Sequence, residues 1–164
     1  MRWSGLRALV VGRFAPELRG RLDIHSTRYG NCSCGHAWLT FDGNVIANFC
    51  TRANFIADGY ESGATKQNPM YRSQFADFGE LSRQDAYQSC WAFIHELSIE
   101  QAMADDDPLI QSLAVADGSV GKRRLAQIDE EKLHRLAVHI LRIRKSELSL
   151  QRGKSEQAIG TAQI

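Results

Sequence analysis

The Asp42-Gly43 pair, set between the apolar runs at residues 36–41 and 44–51, restricts this chain more than any other feature. Both central residues of a two-residue type I′ turn need positive φ, which Gly adopts freely and Asp more readily than most residues. The pair therefore predicts a β-hairpin. With a two-residue loop, Leu39 lies opposite Ile46 and Trp38 opposite Ala47, which puts apolar side chains on both faces of the sheet. Each face is then expected to be covered.

The segments around the hairpin supply the cover. Trp3, Leu6, Leu9, Val10 and Phe14 recur at spacings of three and four, predicting a helix over residues 2–14 that buries this side; Pro16 and Gly20 end it. Residues 21–29 follow as a strand, with Leu22 and Ile24 on one face and Arg21, Asp23, His25, Thr27 and Tyr29 on the other. Residues 29–35 read as a turn-rich loop. From 57 to 79 no period survives, which predicts a long connection with a short ordered piece near Met70–Phe75.

Beyond the connection the pattern is helical. Ser82 and Asp85 approximate a capping box ahead of the stripe Tyr87, Cys90, Trp91, Ile94 and Leu97, and Ser98 with Gln101 repeats the box before a second, short helix. Asp107-Pro108 is an N-cap and first-turn pair opening a helix that Gly118 should stop, and residues 119–128 add another turn or two. Asp129 is expected to cap a last strong helix burying Leu133, Leu136, Ala137, Ile140 and Leu141. Glu130 and Glu131 would sit at its positive end, and Arg142, Arg144 and Lys145 at its negative end. Residues 151–164 are polar and small and read as a mobile tail. The expected fold class is α+β: an N-terminal helix on a three-stranded antiparallel sheet, then a helical C-terminal half, as a single domain over residues 1–150.

Composition narrows the function classes. Among 164 residues the charges nearly cancel to a formal +1, unlike the strong basic excess of a protein that coats nucleic acid. No run approaches the ~20 apolar residues that span a bilayer, and Arg13 interrupts the apolar stretch near Leu9–Val11 before it could act as a signal sequence. Four cysteines are too few for a disulfide scaffold. A cytoplasmic protein with reduced thiols and no membrane association is expected.

Three clusters carry potential chemistry. His25, Cys32, Cys34, His36 and Cys50 offer imidazole and thiolate, the ligands zinc prefers, and a structural zinc is worth about 10–16 kcal/mol of apparent binding energy. The one-residue gap between Cys32 and Cys34 departs from the usual knuckle spacing, and these side chains read equally well as ordinary strand, loop and core residues. Zinc is thus the one cofactor to consider; otherwise none is expected. Arg21, His25, Thr27, Arg28 and Tyr29 form a second cluster, and Lys122, Arg123 and Arg124 a third. Guanidinium and hydroxyl donors suit phosphate or carboxylate oxygens, although such arginines also serve as solvated surface or ion-pair partners. There is no Gly-x-Ser-x-Gly elbow, phosphate-binding loop or His-Glu-x-x-His motif. His25 with Asp23, or His95 with Glu96, can be drawn as acid and base, and His25 is the candidate for a small hydrolase or nuclease-like enzyme.

The residues Trp3-x-x-Leu6, Arg13-Phe14, Gly20-Arg21, His25-x-Thr27-x-Tyr29, Asp107-Pro108-Leu109 and Gly121-Lys122-Arg123-Arg124-Leu125 resemble a family of small bacterial proteins of unknown function. The resemblance runs over about residues 1–147 and implies a shared fold without an assigned activity, cofactor or catalytic residue. The order helix, three strands, helix is also similar to double-stranded RNA-binding domains. There the helix after the third strand opens on a basic cluster, whereas Ser82-Arg83-Gln84-Asp85 supplies one arginine and one acid. The leading expectation is a non-enzymatic binding module that holds a partner protein or nucleic acid through its arginine-rich surface. A zinc-stabilised domain and a His25 enzyme are the alternatives.

Overall fold

The computed structural model describes residues 1–29, 32–48 and 83–160, with side chains at 1–27, 37–47 and 83–150. The elements in chain order are α1 (Trp3–Arg13), β1 (Leu22–Tyr29), β2 (Cys32–Phe41), β3 (Asn44–Asn48), α2 (Arg83–His95), α3 (Ile99–Met103), α4 (Pro108–Ala116), α5 (Lys122–Gln127), a 3-10 turn (Glu130–Lys132) and α6 (Arg135–Gly160). This is the expected α+β architecture, with antiparallel strands in the order β1-β2-β3. The connection expected at 57–79 lies outside the described residues. No described helix is long and apolar enough to cross a membrane.

The hairpin turn has the expected chemistry: Asp42 and Gly43 both have positive φ, at 50° and 78°. Its register is as expected only for the first two pairs. Phe41 faces Asn44 and Thr40 faces Val45, but a bulge then sets Leu39 opposite Ala47 rather than Ile46, and Trp38 opposite Asn48 rather than Ala47. Inserting one residue reverses the alternation beyond it. The small Ala47 thereby reaches full burial beside Leu39 and the bulkier Ile46 stays half-buried. The loop expected over 29–35 is also shorter than its composition suggests, since β2 begins at Cys32 and Cys32 pairs with Tyr29.

One apolar core joins sheet and helices. Leu6, Val10 and Phe14 from α1 and its end meet Leu22, Ile24 and Leu39, and α2 adds Ala86, Cys90 and Phe93. Leu9 was expected on this face but is 42% exposed. One residue of helix turns it about 100° away from Val10, outside the buried Leu6-Val10-Phe14 line. The central helix is α4, buried at every position from Leu109 to Ala116. A helix apolar on all sides must be surrounded, and α2, α3 and α6 all pack on it. Asp107 and Pro108 start it as expected, with Asp107 accepting from the amides of Leu109 and Ile110; Ser98 and Gln101 form the predicted capping box on α3.

The end of α4 is the junction of the fold. Ala15 N donates to Ala116 O at 2.9 Å and Gly118 N donates to Arg13 O at 2.8 Å, so the chain leaving α1 is pinned to the chain leaving α4. A Cβ at Gly118 would stand 3.4 Å from Arg13 O, in van der Waals contact with the chain leaving α1. Arg13 donates to Asp117 Oδ2 at 2.6 Å, and Ser119 N donates to Asp117 Oδ1 at 2.7 Å. From α6, Arg144 reaches in. Its Nε donates to Glu17 at 2.6 Å, and one terminal nitrogen donates to the carbonyls of Val115 and Asp117 at 2.8 and 2.9 Å.

Arg144 is 3% exposed and therefore not the solvated helix-end cation that its position in sequence suggests. The last helix also starts later than expected. Asp129 caps only the 3-10 turn, and α6 begins at Arg135, where His134 Nδ1 accepts from Leu136 N at 3.2 Å. His134 N in turn donates to the buried Gln111 side chain of α4. Leu136, Ala137, Ile140 and Leu141 are buried as expected, and Leu133 is half-buried. The backbone stays helical through Gly160, across the position where a patternless tail was expected to begin.

Two predictions follow from these contacts. Removing one partner of a buried ion pair leaves the other charge uncompensated, so Arg144→Met should lower the unfolding free energy by about 3–5 kcal/mol in urea denaturation. A loss below ~1 kcal/mol would show that Glu17 finds another partner.

The second concerns pH. Burial, and secondarily Arg135, lower the pKa of His134 from its ordinary 6.5, with Asp107 opposing; burial and Arg142 lower that of His139. A lowered folded-state pKa means that below 6.5 the unfolded chain binds protons that the native state refuses. The histidine contribution is therefore complete above 6.5 and is lost as pH falls through the lowered values. The urea midpoint should hold between about pH 8 and 7 and drop from about 6.5 to 5. His134→Asn, which caps without titrating, should flatten that slope. A wild-type midpoint that is level or rises on acidification would contradict it.

Candidate functional site

The two basic clusters do not share partners, and one arginine of each, Arg21 and Arg124, is answered by acids within the fold. Arg21 donates to both oxygens of Asp42 at 2.7 and 2.6 Å and contacts Glu147 of α6 at 2.5 Å, while its guanidinium stacks over Phe41 at 4.5 Å. Both carboxylates raise its pKa, and the hydrogen bonds from Arg21 hold Asp42 below the usual carboxylate range. Arg124 donates to Glu100 of α3 at 2.9 Å. The Glu100 carboxyl is lowered first by its own backbone amide and then by Arg124. Lys122 and Arg123 are exposed and make no ion pair among the described residues. Thr27 is exposed on β1, and the side chains of Arg28 and Tyr29 lie outside those described.

Elsewhere the pattern repeats. Arg7 grips both oxygens of Asp23, and Arg142 and Lys145 converge on Glu130, which they hold below the usual carboxylate range, Lys145 foremost. A phosphate arriving at Arg21 would have to displace two carboxylates already in place.

Among the described residues His25 is held by structural contacts. Its Nε2 lies 2.8 Å from Thr40 Oγ1, its ring stacks on Trp38 with centroids 5.1 Å apart, and Asp23, 3.8 Å away, is committed to Arg7. For the proposed zinc ligands, the backbone register sets His36 opposite Thr27 and Cys32 opposite Tyr29. The side chains of Cys32, Cys34 and His36 are not among those described, and Cys50 lies outside the described residues altogether. Among the described residues no three His, Cys, Asp or Glu side chains are grouped to hold a metal.

The cavity with a distinct chemical character lies elsewhere, between the start of α1, α2 and the start of α4. It has a volume of about 760 Å³, within the usual range of ligand sites. Met1, Tyr87 and Trp91 form its apolar wall, and Asp85, Glu96 and Asp107 bring three carboxylates. No described lining side chain is cationic. Helical spacing explains the wall: Tyr87, Trp91 and His95 recur every four residues, so one ring stands above the next. Tyr87 and Trp91 stack with centroids 6.3 Å apart and planes 14° apart, Trp91 meets His95 at 4.2 Å, and Trp3 of α1 meets Tyr87 at 6.4 Å. The Tyr87 hydroxyl donates to Met1 O at 2.8 Å, fixing the rim.

Beneath the rings the floor is preorganised. Asp107 Oδ1 caps α4 and Oδ2 lies 2.5 Å from the Ser89 hydroxyl, so the carboxylate cannot rotate without breaking the cap. Its field and, first of all, burial push the thiol of neighbouring Cys90 up to about 12, which keeps it an inert core residue. Sequence periodicity placed Tyr87 and Trp91 on a helical stripe and Asp107 at an N-cap. It did not show that the three meet, because α2 and α4 come together only through the tertiary fold.

Two other described cavities are less distinctive. One of about 560 Å³ is lined by Glu130, Glu131, Arg135, His139 and Arg142, a mixed-charge set in which Glu130 is already paired. One of about 400 Å³ gathers Asp105, Asp106, Asp129 and Lys132. His25 lines none of these three.

No curated protein and no solved structure matches the chain. A family model, described as the SF0329 protein family, matches residues 2–145, a span that holds the hairpin, the junction at Asp117 and all but the first residue of the cavity lining. By that match the chain belongs to the SF0329 protein family.

Proposed function

We propose that the protein is a non-enzymatic binding module and that its ligand is a segment of a partner protein seated in the groove between α1, α2 and α4. The observation that carries this reading is the wall of half-buried Tyr87 and Trp91 rings over an open 760 Å³ cavity. Large aromatic side chains at the centre of a concave surface supply most of the energy in protein recognition, since they bury much area with few rotatable bonds. The pairing of Arg21 and Arg124 with acids of the same chain disfavours the alternative in which an arginine surface receives nucleic acid. In that alternative only Lys122 and Arg123, of the described basic-cluster residues, present uncommitted charge.

The test selects ligands from a displayed library of random dodecapeptides on the immobilised full chain and measures their affinity by fluorescence polarisation. Trp91→Ala, with its fold checked by circular dichroism, should weaken binding by at least about tenfold, the loss of a recognition hot spot. The double variant Lys122→Glu/Arg123→Glu should bind as well as wild type. Ligands that ignore Trp91→Ala but are lost in the double variant would move the site to the basic cluster.

A further inference from the structure

We infer that the outer edge of β1 is a surface to which β1 of a second copy of this chain can add, and that the Arg7–Asp23 pair closes it within each chain. The inference is independent of the groove. The sheet order β1-β2-β3 leaves β1 with a neighbour on one side only among the described strands. Asp42 N donates to Arg21 O at 2.9 Å, so Arg21, just ahead of β1, turns its carbonyl towards the β2 side. Backbone groups alternate sides along an antiparallel strand, which turns those of Asp23 and His25 inward and leaves those of Leu22, Ile24 and Ser26 facing outward. The contacts agree, since Leu22 N donates to Leu18 O at 2.9 Å, away from β2.

At Ile24 both outward groups are taken. Its N–H donates to Asp23 Oδ1 at 2.7 Å and its carbonyl accepts from Arg7 Nε at 3.1 Å, while Arg7 also grips both oxygens of Asp23. A further strand would run about 4.8 Å from β1, through the space that the guanidinium fills. Ser26, the next outward residue, makes no backbone hydrogen bond outside the ladder among the described residues. A row of unpaired N–H and C=O groups is a template for another strand, and charged side chains at the edge are one way in which folds block it. The symmetry of the row selects the occupant. A two-fold axis at His25 sets Ile24 of one copy opposite Ser26 of the other and the reverse, and each such pair can exchange two hydrogen bonds. Arg7 and Asp23 are both part-exposed, so their pair is only modestly stabilising and its removal opens the edge without dismantling the core.

Sedimentation velocity of the full chain over a concentration series reads this directly. Arg7→Met, with its fold checked by circular dichroism, should dimerise at least about tenfold more tightly than wild type. Asp23→Ala should do the same, and carries the test if Arg7→Met does not fold. Arg21→Met breaks a part-exposed ion pair that holds no outward group of β1, and should sediment as wild type. Ser26→Pro removes an outward N–H that the ladder does not use, so in the Arg7→Met chain it should abolish the dimer. Folded Arg7 and Asp23 variants that sediment as wild type overturn the inference, and so does a dimer that survives Ser26→Pro or that Arg21→Met forms equally. A wild-type chain that pairs as tightly as Arg7→Met overturns it too, because the arginine then closes nothing.

Discussion

Arg144 carries a full charge into the interior, and the cost of removing a guanidinium from water is several kcal/mol unless its donors are met. They are met from three parts of the chain. Glu17, after α1, supplies the countercharge, and the carbonyls of Val115 and Asp117 supply two further acceptors. These carbonyls lie at the C-terminal end of the central helix, where the last turn has no intrahelical donors left. Arg144 therefore completes α4 and neutralises Glu17 in one contact, and the rest of the fold is arranged around that requirement. Arg13 and Ser119 take the two oxygens of Asp117 on the other side of the same junction.

The same logic distributes charge over the rest of the molecule. Arginines bridge elements that are distant in sequence: Arg7 joins α1 to β1, Arg21 the sheet to α6, and Arg124 α5 to α3. A chain with a formal charge of +1 uses most of the cations described here to hold itself together. What remains distinctive is the groove, where the stacked Tyr87 and Trp91 rings stand over the Asp107 cap beside an open cavity. Its position follows from the core, since α4 must be enclosed by α2 and the N-cap of α4 then lies beside the ring-bearing face of α2.

Much of this was legible in the residues. Asp42-Gly43 specified the turn through its positive φ, Asp107-Pro108 and Ser98-Gln101 specified helix starts through local hydrogen bonds, and the spacing of Leu136, Ala137, Ile140 and Leu141 specified a buried face. These are local rules and need only neighbouring residues. Expectations failed where distant segments decide. Arg144 and Lys145 look alike in sequence, yet one is buried at the junction and the other reaches Glu130 near the surface. Arg21 on a strand face reads as a free donor until α6 brings Glu147 to it. Leu39 met Ala47 because a bulge absorbed one residue, which alternation alone does not signal.

The most direct examination of the internal arginine network is the arginine Nε–H spectrum of the full chain by 15N NMR at neutral pH. The account predicts resolved signals for Arg7, Arg13, Arg21 and Arg144, whose Nε protons are held by Asp23, Asp117, Asp42 and Glu17, with exchange into water slowed most for Arg144. It also predicts that inorganic phosphate leaves those four signals in place. Exchange at the rate of a free arginine, or displacement of the Arg21 signal by phosphate, would contradict it.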